Sequence, residues 1–243
     1  MTAALKTPSD LTAFAAEVRA RANAQMAAPE SQRVLSVKMT SQRARMQSLQ
    51  RIHFTTNRRD CWAFTQALAP MDVKRVIWEH EEDELAGSRS RGVADHHTLQ
   101  IQQGALFGMS STDLTEAPIS PGARTCTYAW SHLVRVGPWQ KSLGACAALE
   151  VGNSSDWVNG GGMSYRMGKK LEADLGIPFD KQINAKEHAE VDVEHGHMLM
   201  RIARTYDSPN DLALMMEGLI ESWEIERIWR GIMADMLLSL PEA

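Results

Sequence analysis

Apolar residues recur along this chain at intervals of three and four, the spacing that lines one face of an α-helix, whereas the strict alternation of a half-buried strand is scarce. Ser9 and Asp10 are helix-capping residue types ahead of Leu11, Phe14, Ala15 and Val18, and they predict a first helix to about Ala28, before Pro29. The pattern predicts further helices over 31–49, 59–68 and 71–85, with Pro70 and Gly87 as the stops of the last two. A fifth covers 95–107 and runs into Gly108, and residues 110–124, with Pro118, Pro121 and Gly122, read as a loop. Helices over 125–136, 140–151 and 163–175 follow, separated by Gly137-Pro138 and by the run Gly160-Gly161-Gly162. Gly176 and Pro178 end the third of these; two more are expected, from about 179 or 185 to 206 and from 210 to 238. No internal repeat, low-complexity tract or interdomain linker interrupts the series. The expectation is therefore one all-α domain over residues 1–243, a bundle of seven to eight helices on which an N-terminal helix within residues 1–30 packs.

Composition narrows the class. A chain of 243 residues, 44% hydrophobic and 23% charged, is ordinary for a globular protein and long enough to bury a sizeable core. Its apolar runs are shorter than the roughly 20 residues a membrane span needs, and the start, Met-Thr-Ala-Ala-Leu-Lys, lacks the character of a signal peptide. The expected location is the cytoplasm, without membrane association. Cys61, Cys126 and Cys146 are odd in number, widely spaced and form no Cys-x-x-Cys pair, which fits reduced thiols better than disulfides or a thiolate metal site. A net charge of −4 offers no basic footprint for nucleic acid, and the arginines between Arg33 and Arg59 read as a solvated helix face.

Three places carry candidate chemistry. On a helix His188, Asp192 and His195 point to about 0°, 40° and −20°, so two imidazoles and a carboxylate leave one face, while Glu190, Glu194 and His197 leave others. Imidazole with carboxylate suits iron, manganese or zinc better than magnesium or calcium. The plain alternative is a solvated acidic helix that carries histidines. Glu150 ends the small-residue run Leu143-Gly-Ala-Cys-Ala-Ala-Leu149, where a carboxylate is costly unless a cation or hydrogen bonds compensate it. Between Trp78 and Gly87 five acids occupy six positions, usually a solvated face, yet Glu81 and Glu84 share one side of that helix. Soon afterwards His96 and His97 open a helix with Leu99 and Leu106 on its apolar stripe.

Taken in order, Glu84 before a glycine-containing loop, His96 with Leu99 three and Gly108 twelve residues on, Glu150, and then His188-x3-Asp192-x2-His195 resemble the heme-oxygenase-like di-iron oxidases and oxygenases. The resemblance spans about residues 71–206. It implies a heme-oxygenase-like bundle, a fold shared with the TenA-type thiaminase hydrolases and with the PqqC-like cofactorless oxidase of pyrroloquinoline quinone synthesis, so the ligands and not the fold argue for iron. Carried over, it makes Glu84, His96, Glu150, His188, Asp192 and His195 the metal ligands, with Glu150 shared between ions and Glu81 and His97 as second choices. The implied cofactors are two Fe(II) ions, or an iron–manganese pair, with dioxygen as co-substrate and an external electron donor as a further reactant. The implied reactions are N-oxygenation, desaturation or oxidative carbon–carbon cleavage of an amino-acid-derived small molecule in natural-product biosynthesis, and homodimers are common in the fold. A branch that makes p-aminobenzoate from its own early-helix tyrosine does not match, because the first tyrosine here is Tyr128.

Arg166, Arg201 and Arg204 are candidate partners for a substrate carboxylate, and Trp78 and Trp157 candidate walls for an aromatic one. Two other classes compete. A metal-free, thiaminase-like hydrolase would use Cys126 near Tyr128 as nucleophile. A noncatalytic helical interaction protein would keep Glu150 and Asp192 exposed.

Overall fold

The computed structural model describes residues 10–88 and 91–242, and the side chains of residues 190–192 lie outside the described set. Eleven α-helices occur among the described residues, in the order α1 (Leu11–Ala27), α2 (Pro29–Ser36), α3 (Ser41–Leu68), α4 (Met71–Ala86), α5 (His96–Gly104), α6 (Ser111–Thr115), α7 (Pro121–Leu133), α8 (Trp139–Asn153), α9 (Met163–Leu175), α10 (Ile183–Ala203) and α11 (Pro209–Leu238). Eight of them have 13 residues or more, and α2, α5 and α6 are the short ones. The expected all-α bundle is therefore present.

Local chemistry sets the helix ends. Asp10 caps α1 by accepting from the Ala13 amide, and Thr40 caps α3 by accepting from that of Arg43. That second cap is where the chain departs from expectation. Instead of one helix over 31–49 and another over 59–68, α2 stops at Ser36 and α3 runs unbroken for 28 residues. Its polar middle is held from outside: Gln50 donates to Pro118 O and accepts from Ser120 N, Asn57 donates to Ser131 Oγ, and Arg58 donates to Cys146 O. The expected loop at 110–124 contains α6, closed by a capping box between Ser110 and Asp113, and the first turn of α7, with Pro121 at its N-terminus and Ser120 as cap.

Helix α8 is the axis of the packing. Every residue from Ser142 to Gly152 is buried, and α11 lies along it. The two backbones touch through glycines: a Cβ on Gly218 would fall 1.9 Å from Lys141 O, and one on Gly144 would fall 2.0 Å from Met215 O. Trp223 Nε1 donates to Ala148 O at 2.9 Å, and Lys141 Nζ pairs with Glu217 and Glu221 at 2.7 and 2.8 Å, so the crossing is fastened at several levels. Helices α3 and α10 cover other sides of α8, α4 packs on α3, and α5 bridges α3, α4 and α10. One continuous apolar core runs from Phe14 to Leu237. No helix among the described residues is long and apolar enough to cross a membrane.

Candidate metal centre

The stripe that α4 presents to its neighbours is Val73, Ile77, His80, Glu81 and Glu84, so the apolar seam of this helix turns polar in its last two turns. Those polar residues are buried where α4 meets α3, α5 and α10, within reach of the Glu150 side chain from α8. Asp95 caps α5 by accepting from Thr98 N at 2.9 Å, which sets His96 as the first helical residue and points it inward. Glu150 comes from the buried axis α8 and His195 from α10, and both are buried. One donor atom from each of His80, Glu84, Glu150 and His195 lies within 4.8 Å of all the others.

Around Glu84 the distances are short. Its Oε1 is 2.9 Å from His96 Nδ1, 3.6 Å from His195 Nδ1 and 4.0 Å from His80 Nε2. His80 Nε2 is 3.6 Å from Glu150 Oε1, and the His96 and His188 rings meet edge to face with centroids 4.5 Å apart. Arg59 of α3 lies behind the carboxylates, 2.8 Å from Glu81 Oε1 and 2.7 Å from Glu84 Oε2.

This placement decides the charges. Burial alone would raise the carboxyl of Glu84, but Arg59 and His96 outweigh it and hold the group well below the usual carboxylate range. Glu150, likewise opposed by burial, is drawn down to about 2 by its contact with His80. In return His80 rises to about 9, because Glu150 and Glu81 overcome the burial that would lower it. Burial, reinforced by neighbouring positive charge, lowers His188 to about 3 and His195 to about 4. The site thus keeps two deprotonated carboxylates and two neutral imidazoles in the interior, the ionisation states that metal ligands require, beside a protonated His80 whose second proton an arriving ion would displace.

The donor set fits iron. Nitrogen and carboxylate oxygen converge without thiolate, since Cys146, one turn before Glu150, is held as a neutral thiol beside Thr65 Oγ1 at 3.3 Å. Donors bound to one ion at about 2.0–2.2 Å stand roughly 3–4 Å from one another, the range spanned by the separations around Glu84 and Glu150.

The residues singled out from sequence are distributed as follows. Glu84, His96, Glu150 and His195 converge, and His188 adjoins through His96. The side chain of Asp192 lies outside the described residues. Glu81 is buried beside His80 and Arg59, whereas His97 is half-buried at the start of α5, near Asp95. Glu194 is exposed, and His197 is paired at the surface with Asp156 at 2.8 Å. Sequence reasoning missed His80. The signal was available, since His80 precedes Glu84 by four residues and continues the stripe of Val73 and Ile77.

A cleft of about 490 Å³ opens on the cluster from the α4–α10 side, with His80 and His195 in its wall beside Glu79, Asp83, Arg201 and Arg204. Arg201 pairs with Glu79 at 2.5 Å, while Arg166 is spent on the carbonyls of Gly161 and Asn159. Trp78 is exposed and Trp157 buried, and neither lines this cleft. Cys126 is buried, its thiol pushed up to about 11 by burial, and Tyr128 is exposed, so no activated nucleophile forms there.

Among curated proteins no sequence matches. Solved structures do. A CADD-like protein of unknown function from Nostoc punctiforme superposes with a TM-score of 0.70 at 17% identity, covering 91% of this chain and 97% of that one. A domain of unknown function with a heme oxygenase-like fold from Shewanella denitrificans gives 0.65 at 15% identity, covering 92% and 93%. A TenA homolog from Pseudomonas syringae pv. tomato gives 0.63 at 11% identity, covering 96% and 94%. At these identities the likeness establishes the heme-oxygenase-like fold. Residues 47–227 match the family model described as iron-containing redox enzyme, and with three quarters of its length in that match the chain belongs to this family.

Proposed function

We propose that this protein is a non-heme di-iron oxidase or oxygenase that uses dioxygen to oxidise an amino acid or amino-acid-derived substrate in natural-product biosynthesis, by N-oxygenation, desaturation or oxidative carbon–carbon cleavage. The observation that carries the reading is the burial of Glu84 and Glu150 with His80, His96 and His195 at one point between α4, α5, α8 and α10. A purely structural cluster is poorly served by so many buried ionisable groups, because each is costly to desolvate. A noncatalytic interaction protein would leave Glu150 at the surface, and a thiol hydrolase would activate a cysteine; neither arrangement is present.

In this reading Glu84, His96, Glu150, His188, Asp192 and His195 hold the metal, and bound iron supplies the place where dioxygen is reduced as the substrate is oxidised. The chain's own contributions are orientation and exclusion of water. Arg59 anchors Glu84, while Trp62 packs apolar surface against the His80 ring. The substrate enters the α4–α10 cleft, whose mixed lining of Glu79 and Asp83 against Arg201 and Arg204 suits a zwitterion, with Arg204 facing the carboxylate.

The test is anaerobic titration of metal-free protein with ferrous iron, then rapid mixing with oxygenated buffer with and without a panel of amino acids. Two irons per chain and oxygen consumption accelerated by one class of amino acid are expected. Absence of iron uptake, or uptake with no oxygen consumption under any condition, overturns the proposal.

A further inference from the structure

The imidazoles around Glu84 form two couples. His96 and His188 meet at 4.5 Å between centroids, His80 and His195 at 4.3 Å, and His96 stands 6.3 Å from His195 across the gap. His80 is tied at both ends of its ring. Nδ1 lies 3.1 Å from Glu81 Oε1, an oxygen that Arg59 holds at 2.8 Å, while Nε2 faces Glu150 Oε1 at 3.6 Å and Glu84 Oε1 at 4.0 Å. The Nε2 separations are longer than hydrogen bonds and of the size found between two donors on one ion. A carboxylate on the far nitrogen of a histidine fixes the tautomer whose other nitrogen carries the lone pair, the arrangement that accompanies ligating histidines. Trp62, with its centroid 4.8 Å from the His80 ring, restricts other rotamers.

We infer that His80 is itself a metal ligand, pairing with His195 on the Glu150 side of the centre, and that Glu81 and Arg59 are positioning residues that hold its ring. This rests on the two-metal reading of the site. Four imidazoles, two on each side of Glu84, then bind the metals, and Glu81 acts through His80 and not on the ion.

The experiment is anaerobic titration of the full chain with Co(II), whose visible bands report the ligand field, together with equilibrium dialysis to count ions. Wild type is compared with His80→Ala, His80→Gln, Glu81→Gln and the exposed control Glu82→Gln, each checked for folding by circular dichroism. Two ions are expected for wild type and the control. The His80 variants are expected to bind the second at least a hundredfold more weakly and with altered bands, and Glu81→Gln about tenfold more weakly. Folded His80 variants that bind two ions with wild-type affinity and spectrum overturn the inference and leave the two-metal reading standing. A single ion in wild type that the His80 variants lose supports the ligand and ends the two-metal reading, whereas no ion in wild type ends both. If neither His80 variant folds, wild-type protein labelled with ¹⁵N-histidine and loaded with Zn(II) decides: four imidazoles that shift support the inference, and three overturn it.

Discussion

Glu150 keeps its charge inside the protein because His80 shares its pocket, so the two are energetically one unit. Removing Glu150 takes from His80 one of the carboxylates that hold it, and removing His80 takes from Glu150 its main cationic partner. Glu150→Ala is therefore expected to abolish iron retention and to lower stability by about 3–5 kcal/mol, the usual cost of breaking a buried pair. Metal analysis and urea unfolding of the same preparation separate these effects. The thiols follow the opposite logic. Burial pushes Cys126 up to about 11 and Cys146 up to about 12, so both remain protonated far above neutrality and both are shielded. At pH 8 native protein is expected to resist iodoacetamide, whereas protein in urea is labelled at Cys61, Cys126 and Cys146; mass spectrometry counts the adducts. Rapid native labelling of Cys146 would contradict its environment here.

At the level of elements, the glycines at the α8–α11 crossing set how closely α11 approaches the helix that carries Glu150. Gly218→Ala would place a methyl against Lys141 O, and it is expected to cost about 1–3 kcal/mol as α11 is pushed from α8. Gly152→Ala is the matched control, since its Cβ would meet Trp223 Nε1 at 3.9 Å, an ordinary contact. Urea midpoints of the two variants make the comparison. Helices with an apolar stripe and a clear stop, such as α4, α9 and α11, were legible in the sequence to within about a turn. The joined α3 was not. Its middle is polar, and its burial depends on partners in α7, α8 and the 118–120 turn that lie far along the chain. At His80 the same dependence on distant partners outweighed a stripe that the sequence does show. An acidic run reads as a solvated face until a second helix, here α3 with Arg59, is seen to cover it. His188-x3-Asp192-x2-His195 shows its shared face by spacing alone, and Glu150 was flagged by the apolar run before it.

For the molecule as a whole, the candidate centre brings together side chains from helices distant in sequence, α4 and α5 with α8 and α10, so an ion bound there would act as a crosslink as well as a cofactor. Metal held by the native state alone stabilises it by mass action, about 2.7 kcal/mol at a free concentration a hundredfold above the dissociation constant. Addition of ferrous iron under nitrogen is expected to raise the thermal midpoint, and a chelator is expected to reverse the rise. An unchanged midpoint at saturating iron would mean that the native state holds the metal no more tightly than the unfolded chain does, which a site assembled from these helices excludes.

Trp62 has a consequence of another kind. Its indole is fully buried, and the ring it touches belongs to His80, at the edge of the centre. An open-shell ion arriving there drains the excited state of the indole it reaches, so the emission of this one tryptophan becomes an optical gauge of occupancy. Iron loading is expected to dim the protein's fluorescence, and Trp62→Phe is expected to remove most of that change while Trp78→Phe, a substitution at the surface, preserves it. Filling of the centre can then be followed in real time, without a label, from the light of a residue that binds nothing.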